Sequence, residues 1–207
     1  TLEGHLGSAV NGLFESLEID PQVVDKGFVG NFVGGCFVNQ AHLGSMLARV
    51  TPGLAYKALT RTEGACASGG LAVLGAVDAL QAGADVCLAT GVEVQTTVSA
   101  RDGADYLARA SHYETERSID EFTFPALFAR RAKAYLEGTD ATEADLAEVV
   151  VKAYENGNRN PKAHMGTVKM TLEHAREAGP KNPYFLANPE LRPFMKISDC
   201  SQVSDGA

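Results

Sequence analysis

Cys66, in the run Glu63-Gly64-Ala65-Cys66-Ala67-Ser68-Gly69-Gly70, has surroundings suited to covalent chemistry. It follows a β-rich segment and precedes an apolar helical pattern, so its thiol is expected at a helix N-terminus. There the helix dipole and the free N–H groups favour thiolate over thiol. Ala67, Ser68, Gly69 and Gly70 are small and would let a substrate approach the backbone. A thiolate both accepts an acyl group and leaves again, the two properties that two-step acyl transfer needs. The Cys66 N–H could also donate to a developing oxyanion. The competing reading of the local pattern is one more small buried residue.

Other chemistry-bearing residues are less marked. Cys36 and Cys87 read as core or loop thiols, and Cys200 falls in a connecting segment. None of the four cysteines forms a C-x-x-C pair and no histidine cluster has zinc-like spacing, so no metal is expected. All four read as reduced thiols in a cytoplasmic-type compartment. Arg130, Arg131 and Lys133 share a helical stretch, either as a solvated basic face or as phosphate contacts.

The elements that must position Cys66 alternate in type. Leu2, Leu6, Val10, Leu13, Phe14 and Leu17 have helical spacing. Val23 to Val33 reads as a strand, Asn39 to Arg49 as a helix, and Ala55 to Thr62 as a strand. Cys66 to Ala82 reads as a helix apolar on every side and therefore buried all round. Val86 to Thr90 reads as a strand covered on both faces. Spacing of this kind predicts an α/β fold with a mainly parallel sheet. From residue 94 to 195 the chain is more charged, with helices predicted over Pro125 to Glu137 and Thr142 to Asn156. The second opens on a capping pattern, Thr142-Glu143-Ala144-Asp145. The division expected is a core over 1–93, an insertion over 94–195 and a return to the core over 196–207.

The 207 residues carry 18 basic and 26 acidic side chains, a net charge of −8. That balance disfavours general nucleic-acid binding. The longest uncharged stretch, Gly27 to Ala48, is broken by Asn31, Asn39, Gln40 and His42, so no membrane span is expected. Thr1 in place of a Met, and the stop at Ser204-Asp205-Gly206-Ala207, read as cuts rather than natural termini.

Several segments together resemble the thiolase family. Thr62 to Gly70 is similar to its nucleophile motif, a Cys, one small residue, then Ser-Gly. Val29-Gly30-Asn31, Ala89-Thr90-Gly91-Val92-Glu93, Asn156-Gly157-Asn158-Arg159-Asn160-Pro161 and Ser198 to Ala207 resemble further family segments, in family order, nearest to the sterol-carrier-type and archaeal-like branches. The resemblance implies a thiolase-like N-terminal domain, with a mixed, mainly parallel sheet of the five-stranded type, helices on both faces and a largely helical loop domain that covers coenzyme A. It implies an acyltransferase that makes or breaks 3-ketoacyl-CoA by Claisen chemistry through acyl-Cys66, with coenzyme A as substrate and no permanently bound cofactor. Within the expected loop domain, Arg130 and Arg131 are the candidates for contact with coenzyme A phosphates, and His164 and Met165 for lining an acyl or pantetheine channel. It also implies a homodimer or homotetramer.

A complete member pairs this half with a C-terminal half that carries an Asn-Glu/Asp-Ala-Phe-like segment, a Gly-His-Pro histidine and a Cys-x-Gly cysteine. None of these occurs here, so residues 1–207 alone are expected to be inactive without a second half or partner subunit. Two other readings compete: a ketoacyl synthase-type condensing enzyme, and a catalytically idle scaffold that binds acyl-CoA.

Overall fold

A computed structural model describes residues 1–207. The chain forms two compact units: Thr1–Tyr106 with Val203–Ala207, and Leu107–Gln202.

The first unit is built on three short parallel strands: β1 (Lys26–Gly30), β2 (Ala58–Thr62) and β3 (Cys87–Gly91), in the order β2-β1-β3. Five helices accompany them: α1 (Leu2–Leu17), α2 (Gly34–Phe37), α3 (Leu43–Val50), α4 (Ser68–Gln81) and α5 (Ala100–Leu107). The α/β architecture agrees with the sequence. Where the family pattern suggests five strands, these residues form three, plus one antiparallel bridge between Glu93 and Gly206.

Alternation along β1 separates two faces of the sheet. Gly27 and Val29 face a core of Leu6, Val10, Leu43, Leu47, Leu54 and Leu88, supplied largely by α1 and α3. Gly44 and Gly27 allow the close approach: a Cβ on Gly44 would lie 2.7 Å from the Leu59 carbonyl oxygen, and one on Gly27 2.7 Å from Leu59 Cδ2. Phe28 and Gly30 face α4, with the Phe28 ring filling the space where Gly75 lacks a Cβ.

Several boundaries differ from the sequence expectation. The strand expected over 23–33 shrinks to Lys26–Gly30, because Pro21–Val23 form a 3-10 turn capped by Asp20. The helix expected from Asn39 starts at Leu43, since Asn39 is left-handed (φ 54°). The strand expected from Ala55 starts at Ala58, after left-handed Tyr56 (φ 65°). A larger correction concerns α4. Only its small residues Ser68, Ala72, Ala76 and Ala79 are buried, while Leu71, Val73, Leu74, Val77 and Leu80 are 37% to 57% exposed. The small side chains form the stripe that lies on β1 and β3, which turns the large ones outward. Strand β3 is likewise fully buried only at Leu88 rather than covered on both faces.

The second unit holds α6 (Tyr113–Glu116), α7 (Thr123–Gly138), α8 (Glu143–Arg159) and α9 (Leu172–Arg176). Its core is small: Ala126, Ala129, Leu186, Leu191 and Met195, flanked by Phe122, Phe185 and Phe194. The capping pattern at Thr142 is present, with the Thr142 N–H donating to Asp145 Oδ2 at 2.7 Å. Lys196 is buried, with Nζ 3.3 Å from both Glu143 and Asp199. No helix of the chain is long and apolar enough to cross a membrane.

Candidate functional site: the Cys66 turn

The three strands end level, with Gly30 opposite both Thr62 and Gly91. In parallel α/β sheets the carboxyl ends of the strands are where ligands bind. The turn from Glu63 to Ala67 leaves β2 at this edge. Cys66 is the middle residue of a 3-10 turn, Ala65–Ala67, and α4 begins two residues later at Ser68. The thiol therefore stands just ahead of the helix rather than in its first turn. Ala65, just before Cys66, is left-handed (φ 51°), so no regular helix runs through that residue. Such a conformation costs roughly 1–2 kcal/mol for a residue with a Cβ.

Hydrogen bonds hold the turn against that strain. Ser68 is buried; its hydroxyl donates to the Ala65 carbonyl at 2.6 Å and accepts the Gly64 N–H at 3.1 Å. The Ala67 N–H donates to the Gly64 carbonyl at 2.9 Å, and the Ala65 N–H to Glu63 Oε1 at 2.6 Å. Thr62 Oγ1 reaches the Ser68 carbonyl at 3.1 Å. Gly30 lets this assembly sit directly on β1, because a Cβ there would lie 2.6 Å from the Ser68 carbonyl oxygen. Replacing Ser68 by alanine removes two hydrogen bonds and leaves the half-buried Gly64 N–H and Ala65 carbonyl without them. A loss of about 1–3 kcal/mol is expected on denaturant unfolding.

The Cys66 side chain is exposed, and its backbone N–H makes no hydrogen bond within the chain. A Cβ at Gly69 or Gly70 would meet nothing within 4 Å, so the approach over the first turn of α4 is open. An exposed thiol, a free N–H and open ground beside both are what an acyl acceptor with an oxyanion donor needs.

Sequence reasoning gave Glu93 no role at this edge. Its carboxylate Oε2 accepts the Phe32 N–H at 2.8 Å, while Oε1 is buried without a hydrogen-bond partner. Desolvation raises its pKa, against the lowering effect of the Phe32 and Val33 N–H groups, Asn31 and the Arg61 charge. A folded-state pKa above the unfolded value means that rising pH ionises the buried group and removes stability. Glu93→Gln lacks this titration. Its Tm relative to the wild type is therefore expected to climb as pH rises above the ordinary glutamate range, and thermal melts at a series of pH values would show it.

The remaining candidates lie in the second unit. Arg130 and Arg131 are exposed on α7. Arg130 pairs with Glu116 at 3.1 Å, and Arg131 stacks over the Phe128 ring at 5.1 Å. His164 is exposed and Met165 half-buried, in a run of tight turns after α8 closed by Ala163 N–H to Asn160 O and Gly166 N–H to Ala163 O, both 3.1 Å. No group of three or more His, Cys, Asp or Glu side chains is placed to hold a metal ion.

Comparison with known proteins agrees with the order of segments. Residues 4–175 match the model of the thiolase N-terminal domain. The chain is 34% identical over 197 residues to an acetyl-CoA acetyltransferase of Methanothermobacter thermautotrophicus, covering 95% of this chain and 48% of that protein. It is 37% identical over 194 residues to an acetyl-CoA acetyltransferase of Methanocaldococcus jannaschii, covering 93% of this chain and 46% of that protein. The chain spans about half the length of the curated relatives it matches. With most of its residues, including the whole Cys66 turn, inside the matched region, the chain belongs to the thiolase family and carries its N-terminal domain.

Proposed function

We propose that this chain is the nucleophile-bearing half of an acyl-CoA acyltransferase that makes or cleaves 3-ketoacyl-CoA. The observation that carries the reading is the exposed Cys66 thiol, with an unoccupied N–H, on a hydrogen-bonded turn of a thiolase N-terminal domain. In the cleavage direction the Cys66 thiolate attacks the 3-keto carbon. The bond between C2 and C3 breaks, its electron pair passes to C2, and a proton delivered there completes acetyl-CoA. The thiolate of free coenzyme A then attacks the acyl-Cys66 carbonyl, which releases the shortened acyl-CoA and restores the Cys66 thiolate. On this reading the Cys66 N–H, which has no partner within the chain, donates to the oxyanion of a tetrahedral intermediate.

The base for Cys66 and the acid for C2 come, on this reading, from a second half of similar fold. The uncovered apolar face of α4, from Leu71 to Leu80, supports it, because a contiguous exposed apolar patch marks a surface that packs against protein. Residues 94–195 are the part that covers coenzyme A, with Arg130 and Arg131 toward its phosphates and His164 and Met165 toward the acyl or pantetheine arm. A cytoplasmic homodimer or homotetramer fits the free cysteines and the family. The test is turnover of a 3-ketoacyl-CoA with free coenzyme A by this chain together with its second half. Binding of acyl-CoA with no turnover under any condition would replace the enzyme by an acyl-CoA-binding scaffold.

A further inference from the structure

Glu93 and Cys66 leave the sheet on the same side. Phe28 and Gly30 face α4, and Gly91 is in register with Gly30. The alternation carried two residues further puts Glu93 on the α4 face, the face of the Cys66 turn. From there its carboxylate reaches across to the exit of β1 and takes the Phe32 N–H at 2.8 Å.

That exit is fixed from several directions. Asn31 is buried; its Nδ2 donates to the Val92 carbonyl at 2.8 Å, and its Oδ1 accepts the Gly34 N–H at 3.1 Å. Arg61 donates to the carbonyls of Asn31 and Phe32. The Asn31 N–H donates to the Thr62 carbonyl at 3.1 Å, and the Thr62 hydroxyl donates to the Ser68 carbonyl. Ser68 in turn grips Gly64 and the left-handed Ala65, the two residues just before Cys66. Glu93 is thus joined to the Cys66 turn by a hydrogen bond to Phe32, the peptide link from Phe32 to Asn31, and hydrogen bonds from Asn31 to Thr62 and from Thr62 to Ser68.

The second carboxylate oxygen sharpens the point. Oε1 is buried with no partner, and a buried acceptor left unmet is destabilising. A side chain serving only to fill this space would do so with less penalty. We propose that Glu93 is a positioning residue for Cys66, acting through the β1 exit loop and Thr62 to hold the nucleophile turn where it accepts the acyl group. The proposal rests on the reading of Cys66 as the acyl acceptor.

The test uses this chain together with its second half, with Glu93→Ala, Glu93→Asp and Glu93→Gln. Alanine lacks the acceptor, aspartate keeps the charge but falls short of Phe32, and glutamine keeps an oxygen within reach of it. In the alanine and aspartate variants, hydrogen exchange in a peptide spanning residues 62–70 is expected to accelerate about tenfold, with the peptide of α1 unchanged. The kcat for 3-ketoacyl-CoA thiolysis is expected to fall between about 10-fold and 100-fold with KM within about threefold, as for a nucleophile displaced by a fraction of an ångström to an ångström. Glutamine is expected to restore both readouts. Should the alanine variant fail to fold, the aspartate variant decides alone. Faster exchange confined to residues 28–34, with kcat untouched, overturns the proposal and leaves Glu93 a local brace. A wild type without thiolysis, but with exchange at 62–70 accelerated in the variants, keeps the coupling and removes the acyl-transfer reading instead.

Discussion

Replacing Cys66 by alanine is expected to lower acyl transfer by at least about 10⁴-fold, because no other group can form the covalent intermediate that splits the reaction in two. The fold should not notice. The side chain is exposed, and exposed substitutions away from special features usually change stability by about 0.5 kcal/mol or less. Loss of turnover with an unchanged melting curve is therefore the expected pair of results. Retention of even a tenth of wild-type turnover would mean that acyl groups do not pass through this thiol.

Gly30→Ala is expected to damage the same site from below. The added Cβ would lie 2.6 Å from the Ser68 carbonyl oxygen and 2.7 Å from both the Gly69 nitrogen and the Ser68 carbonyl carbon. All three are backbone atoms and cannot rotate aside, so the start of α4 must lift away from β1. Forcing such a contact costs about 1–3 kcal/mol. Because the Cys66 turn is anchored to Ser68, the nucleophile moves with it, and about 10²-fold in kcat is the expected loss. Gly70→Ala is the stability control: its Cβ meets nothing within 4 Å, and alanine in a helix is favoured over glycine by about 1 kcal/mol. Denaturant unfolding of the two variants should move in opposite directions. Equal and small effects would show that β1 and α4 are not held as closely as described.

Much of this arrangement can be read from the residues alone, and the exceptions have physical causes. The periodic apolar residues of α1 and the Thr142–Asp145 cap of α8 announce their elements plainly, and both helices form. Three boundaries moved beside a residue other than glycine in a left-handed conformation, Asn39, Tyr56 and Ala65, while the start of β1 moved because Pro21–Val23 form a 3-10 turn. Tertiary packing imposes those angles, and nothing in local propensity points to an alanine or a tyrosine there. Helix α4 misleads for a different reason. A run of Ala, Gly, Leu and Val has no polar side to mark an exposed face, so the pattern cannot separate a helix buried all round from one that lays its small residues on a sheet and presents its large ones outward. Cys66 was singled out by the likeness of its turn to the family's nucleophile motif; its small neighbours and its place between a strand and a helix left the reading of a small buried residue equally open, and the structure places it exposed. Glu93 was not, because its one distinguishing signal is an acid directly after an apolar strand; its meaning depends on Phe32 and Thr62, which are distant in sequence and adjacent in the sheet.

The most direct measurement is the mass of the full chain after brief exposure to acetyl-CoA, followed by peptide mapping. The account predicts one acetyl group per chain, on Cys66, absent in Cys66→Ala and removed by added coenzyme A. A folded chain that binds acetyl-CoA and carries no acetyl group, or carries one only on another residue, would contradict it.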